Sequence, residues 1–560
     1  MVPLWPRLKR LLLVDDSILQ ETFTLRDPGA PEVSREREAP EWDRDAPLSR
    51  SLDDNRRWLQ AALRHPDNAD VIFRDFKLAT RPEIRATAVL LDGMVDKLVV
   101  NATILQPLML LSRIESVRGD PWEVLRDHLL PSHQLTIAER RRKVLQGILS
   151  GDTAIFIDGY PRCLVLETKG FDRRPVQRPQ TEMAVRGSQE GFTETLRTNT
   201  ALVRRRLQTQ QLVTEMVKVG RLSQADCAIM YVDGVVNPDL VDEVRRRVKD
   251  AQVVDYVGDS GMLELLIEDS PFSLVPTVLA TERPDRVGAF LSEGHAAILA
   301  NNSPFALVVP ATFWAMLHSA EDYYLRWPYG TFLRLIRVVS WFTTLLLPGI
   351  YVAVTNYHPE MIPTDLLLSI ASSRERVPFP LVGEVLLMEG AFELIREAGV
   401  RIPTVIGPTI GIVGAIILGQ AAVAANIVSP LLVIAVAITG LASFAIPNQG
   451  LSLFVRVLRF GYLLLGAVVG LFGISLGLFV QAVAMSKIKS FGVPILAPLA
   501  PWIPRQGDLL TRPPAWAQEL RPGYVDAVDD VRQPEIVRRW DPTATGSGAR
   551  RAPKGGGRKR

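Results

Sequence analysis

Cysteine is nearly absent. Cys163 and Cys227 share no CxxC spacing and no surrounding histidines, which excludes a disulfide framework and a cysteine-based zinc site. No GxxxxGK(S/T), HExxH or GxSxG pattern occurs, so the common phosphate-cradling, zinc and serine-nucleophile signatures are missing. The six histidines are scattered through the chain. No catalytic residue, metal or cofactor is therefore expected, and the chain does not read as an enzyme. An excess of one charge is lacking too: the net charge is +3 without a basic domain, which gives no electrostatic reason to expect nucleic acid, although RRAPKGGGRKR forms a basic tail. A secretory signal is not found, since LLLV at 11–14 is cut short by Asp15 and Asp16; the N-terminal region is expected to stay in the cytoplasm.

Charge is missing most sharply between Ile402 and Met485, where only Arg456 and Arg459 are ionised. A bilayer core about 30 Å thick takes on the order of 20 helical residues. Four segments satisfy that demand: Val338 to Tyr357, Val405 to Ala425, Ile427 to Ile446 and Phe460 to Met485. Inside hydrocarbon every peptide group must bond within its own segment, so these are expected to be helices. Pro348-Gly349 lies within the first, where loss of a backbone donor predicts a kink and makes Pro348 a gating candidate. Gly466-xxx-Gly470 and Gly473-xxx-Gly477 clear a helix face for close packing.

Between the first two spans runs VPFPLVGEVLLMEGAFELIREAGVRIP. From Leu381 to Ile395 it is expected to form a helix of about 22 Å at 1.5 Å per residue, short for a crossing. Glu389, Glu393 and Arg396 share one face, and Glu384 lies off that stripe. Carboxylates at membrane depth need water, a partner charge or a polar cavity. The residues alone leave two readings open: a pore-lining helix in a ring of subunits, or an interfacial amphipathic helix. Counting or omitting this segment gives five or four spans, with the side of the C-terminal tail undecided.

Before the spans the pattern is α/β. Residues 1–48 read as a disordered leader, 49–150 and 151–330 as two α/β subdomains, 331–500 as an all-α transmembrane domain of four or five spans, and 501–560 as a Pro/Arg-rich disordered tail. ATAVLLDGMVDKLV at 86–99 and ADCAIMYVDGVVNPDLVDEVRRRV at 225–248 both read as strand, Asp-Gly turn and helix, a weak internal repeat; Asp158-Gly159 instead reads as a hairpin. The Arg- and Thr-rich segment 170–207 reads either as an interface, with Arg186, Glu194, Arg204, Arg205 and Arg206 as candidates, or as a solvated helix after a long connection.

Taken together, TEMAVRGSQEGFTETLRTNTALVRRRL, the Tyr-Val-Asp-Gly of MYVDGVV, PFSLVPTVLATERPDRV, EDYYLRWPYGTFLRLIRVVSWFTTLLLPGIYVAVTNYHPEMIPT and REAGVRIPTVIGPTIGIVGAIILGQAAV resemble the A subunit of bacterial spore germinant receptors, the GerA family, over about residues 50 to 500. Ser188 and Ile495 depart from the usual proline and tyrosine of that family. The resemblance implies a receptor subunit in the spore inner membrane, acting with a transporter-like B subunit and a lipoprotein C subunit. It also implies a homo-oligomeric ring passing monovalent cations, which would make Glu384, Glu389 and Glu393 pore-lining. The alternative is a membrane-anchored signalling scaffold that does not itself conduct.

Overall fold

VIFRDFKL, opening on the apolar Val71, Ile72 and Phe73, and the apolar run of IRATAVLL build two paired strands, β1 (Val71–Leu78) and β2 (Ile84–Leu91), with Val71 opposite Leu91. A computed structural model describes residues 25, 45–78, 83–111, 122, 135–170, 178–401, 419–503 and 508–533. Before β1, Ser51 caps helix α1 (Leu52–Ala62) by accepting from the Asp54 amide, and Leu52, Trp58, Leu59 and Ala62 form its buried face. The chain continues through β3 (Leu135–Ala138), α2 (Arg141–Ser150), β4 (Thr153–Ile157) and β5 (Cys163–Leu166). The Asp158-Gly159 step joins β4 to β5 as an antiparallel hairpin, with Phe156 opposite Cys163.

A second unit repeats the plan with α3 (Leu196–Arg206), β6 (Leu212–Val219), β7 (Ala225–Val232), α4 (Pro238–Asp250), α5 (Ser260–Ile267), β8 (Leu279–Thr281), α6 (Pro284–Ser292), β9 (Ala296–Ala300) and β10 (Ala306–Val309). Strand order is β1-β2-β4-β5-β3 in the first sheet and β6-β7-β9-β10-β8 in the second, one topology used twice. The Asp92-Gly93 and Asp233-Gly234 turns follow β2 and β7, equivalent strands, with both glycines at positive φ. A boundary at 150 does not match this arrangement. β4 begins at Thr153 yet pairs with β2, so the first unit runs on to Leu166.

Helix α7 (Phe313–Leu317) leads into a helical block of α8 (Trp327–Tyr357), α9 (Thr364–Arg374), α10 (Leu381–Arg401), α11 (Pro430–Phe444) and α12 (Gln449–Lys487). Two of these, α8 and α12, are long and apolar enough to cross a membrane. Most of the expected span from Val405 to Ala425 lies outside the described residues, and α11 has 15 residues.

The chain of α12 is not one rod. Gly470 takes φ 69° and ψ −150°, and the Tyr462 hydroxyl meets the Gln481 side chain, two positions that a straight helix would hold about 28 Å apart. The chain therefore doubles back, with residues 449–469 and 471–487 as antiparallel arms. The first arm starts where Gly450 abuts Pro276 of the α/β region; after the second, Ser490 accepts from the Ala311 amide at 2.8 Å. Both ends of the hairpin thus rest on the α/β region. Its turn meets the far end of α8, where the Tyr357 hydroxyl donates to the Ala467 carbonyl at 2.7 Å.

Candidate functional site

The apolar arm 449–469 carries Arg456 and Arg459, and charges in such a setting require partners. Helix α10 supplies them. Its Glu393 accepts from Arg456 Nε at 3.0 Å and also bonds Arg459, while Glu389 lies 2.9 Å from Arg459 Nη2. Arg396 bonds Ser443 of α11 and stacks over the Phe392 and Phe444 rings. Helix α10 does not stop near Ile395 but runs 21 residues to Arg401.

Satisfaction inside this cluster is incomplete. The Arg459–Glu389 approach lacks hydrogen-bond alignment, so neither Glu389 oxygen, nor Arg459 Nε or Nη1, has a hydrogen-bond partner among the described residues. Both side chains are 1% exposed. Beside them opens a cleft of about 290 Å³ lined by Glu393, Leu453, Arg456, Val457 and Phe460. A partly satisfied buried network is costly, which makes an alternative arrangement of the same charges energetically reachable.

Glu384 stands apart from that cluster, one end of α10 away. It accepts from the Ser429 amide at 3.1 Å, at the N-terminus of α11, and pairs with Arg374 of α9 at 3.4 Å. Pro348 is buried within α8, which stays continuous through it. Its neighbour Gly349 lies against the first arm of α12, where a Cβ would come 2.7 Å from the Tyr462 carbonyl oxygen. Gly466 fits the same crossing from the other side, 2.5 Å from the Gly349 oxygen by the same measure.

The three arginines at the end of α3 part company. Arg204 is 3% exposed and points inward, donating to Asp70 at 3.0 Å, Asn68 at 2.8 Å and Thr214 at 3.2 Å; it joins the two α/β units. Arg197, overlooked in the sequence, reaches the other Asp70 oxygen at 3.0 Å. Arg205 and Arg206 both turn to Glu190, at 3.0 and 2.6 Å. Arg186 and Glu194 are exposed and join neither group.

Residues 180–190 form a pinned loop. Glu282 accepts from the Gln180 and Thr181 amides, Arg286 pairs with Glu182, and Arg283 donates to the Glu182 and Ser188 carbonyls. At Gly187, with φ 122°, a Cβ would lie 2.4 Å from the Tyr324 ring, so only glycine lets the loop approach the residues that precede α8. The loop is thereby fastened to the entrance of the helical block.

Residues 508–533 do not behave as the disordered tail expected from composition. Asp508 bonds Arg334 and Tyr323, and the Arg512 guanidinium donates to the Leu325 and Tyr323 carbonyls at 2.7 and 3.0 Å. Arg532 pairs with Glu293 at 2.9 Å. A cavity of about 40 Å³ lies between this segment and the α/β region, lined in part by Glu293, His318, Tyr323 and Asp508. Burial pulls His318 down to about 4, with the Arg334 charge adding to it, so its ring is neutral and Nε2 donates to the Leu509 carbonyl. Residues 534–560, the basic end of the tail, lie outside the described residues, as does the leader apart from Leu25 and residues 45–48.

The family described as Bacillus/Clostridium GerA spore germination protein matches residues 57–524. The chain is 40% identical to spore germination protein KA of Bacillus subtilis over 468 residues, 83% of this chain and 85% of that one. It is 37% identical to spore germination protein GerLA of Bacillus cereus, over 80% of this chain and 91% of the relative. It is also 39% identical to an uncharacterized membrane protein, YfkQ, of Bacillus subtilis, over 86% and 92% of the two chains. Among solved structures, the N-terminal domain of the A subunit of the Bacillus megaterium spore germinant receptor GerK3 is 29% identical, with a TM-score of 0.39, and covers 48% of this chain and 98% of its own.

Proposed function

The chain belongs to the GerA spore germination family, and from that membership we propose that it is the A subunit of a nutrient germinant receptor whose helical block conducts monovalent cations. In this reading it forms a homo-oligomer in the spore inner membrane with its α/β region on the cytoplasmic side. A transporter-like B subunit senses the nutrient, and a lipoprotein C subunit completes the receptor.

The observation that carries the reading is the Glu389–Glu393–Arg456–Arg459 cluster, its Glu389 and Arg459 buried with unsatisfied oxygens and nitrogens, its Glu393 and Arg456 half-buried against the cleft. An acidic helix whose charges are held by arginines of a neighbouring arm is shut to cations, because each carboxylate already has a counter-charge. Withdrawal of the arm frees those carboxylates, and a ring of them would favour cations over anions. Pro348, inside α8 where it removes a backbone donor and close to where α8 crosses that arm, is the proposed bending point. Glu384 is the third pore-lining candidate, held in this arrangement by Arg374. Nutrient binding in a partner shifts the equilibrium only through contacts that differ between the two states.

Reconstituted in liposomes with its partner subunits, the protein is expected to pass monovalent cations when nutrient is added. The double substitution Glu389→Gln, Glu393→Gln is expected to change flux, selectivity or both. Unaltered flux and unaltered selectivity would remove the pore assignment and leave the scaffold reading, in which the helices only anchor the receptor.

A further inference from the structure

Four large apolar side chains on one stretch of the α/β region face outward. Leu265 and Leu266 close α5, at 65% and 40% exposure, and Phe272 and Leu274 follow in the next loop, at 67% and 50%. Single exposed apolar residues need no explanation, whereas a run of this kind signals a partner.

Position in the fold narrows what that partner is. The loop is fastened at the point where both arms of the α12 hairpin meet the α/β region. Pro276 abuts Gly450, at the start of the first arm. Asp269 accepts from the Phe491 amide at 2.5 Å, just past the second arm, and is braced by Arg247 at 2.7 Å, whose guanidinium also lies over the Phe491 ring. Val275 is buried in the cluster that contains Leu451, Phe454 and Val455 of the first arm. Ser273 closes the turn between these anchors, accepting from the Val275 amide at 3.0 Å. The outward apolar surface of the second arm reaches Val483, about 6 Å of helix before the arm ends at Lys487. The exposed patch therefore lies at the end of the hairpin where its outward apolar side chains meet the α/β region.

We propose that Leu265, Leu266, Phe272 and Leu274 form a membrane-dipping edge of the α/β region that rests in the glycerol and upper acyl-chain zone of the bilayer; this rests on the reading of α8 and α12 as bilayer-crossing helices. Glu264 and Glu268 flank the patch, so the partner is the apolar zone of the lipid and not an anionic headgroup. Seated there, the loop couples the height of the α/β region above the membrane to the start and finish of the hairpin.

The two native cysteines are buried, so a nitroxide reagent selects an introduced thiol. Three single variants of the full-length protein in zwitterionic lipid nanodiscs make the test: Phe272→Cys, Leu222→Cys on an exposed turn of the α/β region, and Phe479→Cys half-way along the second arm of the hairpin. The label at 272 is expected to be several-fold more accessible to oxygen, relative to a water-soluble nickel chelate, than the label at 222, and to be unaffected by adding anionic lipid. If 272 matches 222 while 479 reads as lipid-exposed, the membrane edge is overturned and the spanning reading stands. Shielding of 272 from both colliders, with spin–spin broadening, would assign the patch to a second copy of the chain and likewise overturn it. A water-exposed label at 479 would remove the spanning helices and the proposal together.

Discussion

Glu293 is held by Arg532 yet enclosed by Tyr524, Pro522 and the end of α6, and burial outweighs the arginine, pushing its carboxyl up to about 7. Below pH 4.5 the group is protonated whether the chain is folded or not, and it contributes nothing to the pH dependence. Between pH 4.5 and 7 the unfolded chain ionises while the folded one keeps its proton, so stability falls by about 3 kcal/mol before levelling off. Glutamine cannot titrate. The difference in melting temperature between Glu293→Gln and the parent is expected to rise through that window and then stay constant; a difference that is flat from pH 4 to 8 would mean that Arg532 keeps the carboxylate ionised. At Arg204 the logic is one of pairing. Its removal leaves Asp70 buried with Arg197 alone, and loss of one partner of a buried pair costs about 3–5 kcal/mol. Arg204→Met is expected to separate the two α/β units in limited proteolysis, whereas Arg206→Met, whose partner Glu190 is part-exposed and retains Arg205, is expected to change stability by less than about 1 kcal/mol. A sequence cannot tell these neighbours apart, because three consecutive arginines differ only in the direction the helix gives each.

Among elements, the α12 hairpin depends on one backbone conformation. Gly470 occupies a region of φ and ψ that is essentially closed to residues with a Cβ, so Gly470→Ala is expected to cost about 1–3 kcal/mol, read as a lower melting temperature in detergent. Gly466→Leu should be worse, since its Cβ would strike the Gly349 carbonyl of α8 and the two helices could not cross as they do. A Gly466→Leu protein as stable as the parent would contradict the close crossing. The α/β strands were legible because short β-branched apolar runs and Asp-Gly turns are local, as in ATAVLLDG and the β4–β5 hairpin. The reversal at Gly470 was not, since that residue is one of several glycines at intervals of four in a greasy run, and spacing does not distinguish a packing glycine from a turning one. The ion cluster was half legible. Arg456 and Arg459 announce by their setting that they need partners, but Glu389 and Glu393 lie more than sixty residues away and the pairing is fixed only by how α10 packs against the arm. Residues 508–533 were misjudged because proline and arginine content resembles disorder. Their arginines bond backbone carbonyls at the entrance of α8, a use that leaves no compositional trace.

At the scale of the whole molecule the decisive feature is where the chain enters and leaves the helical block. Helix α8 starts beside Asp322 and Arg512, at the α/β region, and its 31 residues carry the chain about 46 Å to the hairpin turn. The second arm of α12 brings it back, and residues 508–533 then pack on the α/β region and on the start of α8. On the proposed reading that α8 and the arms of α12 cross a bilayer, a chain that enters and leaves at one face would cross it an even number of times. An odd count of five would put the C-terminal segment across the membrane from Arg334 and Glu293, the residues it bonds. Single cysteines test this directly in sealed, uniformly oriented vesicles. Thiols at Val531 and Leu222 are expected to react with an impermeant reagent from the same side, and one at Met361, next to the hairpin turn, from the opposite side. Labelling of 531 and 222 from opposite sides would break the link between the C-terminal segment and the α/β region. It would also be incompatible with the bonds of Asp508 to Arg334 and of Arg512 to the Asp322 carbonyl, which form only while the two lie on one face.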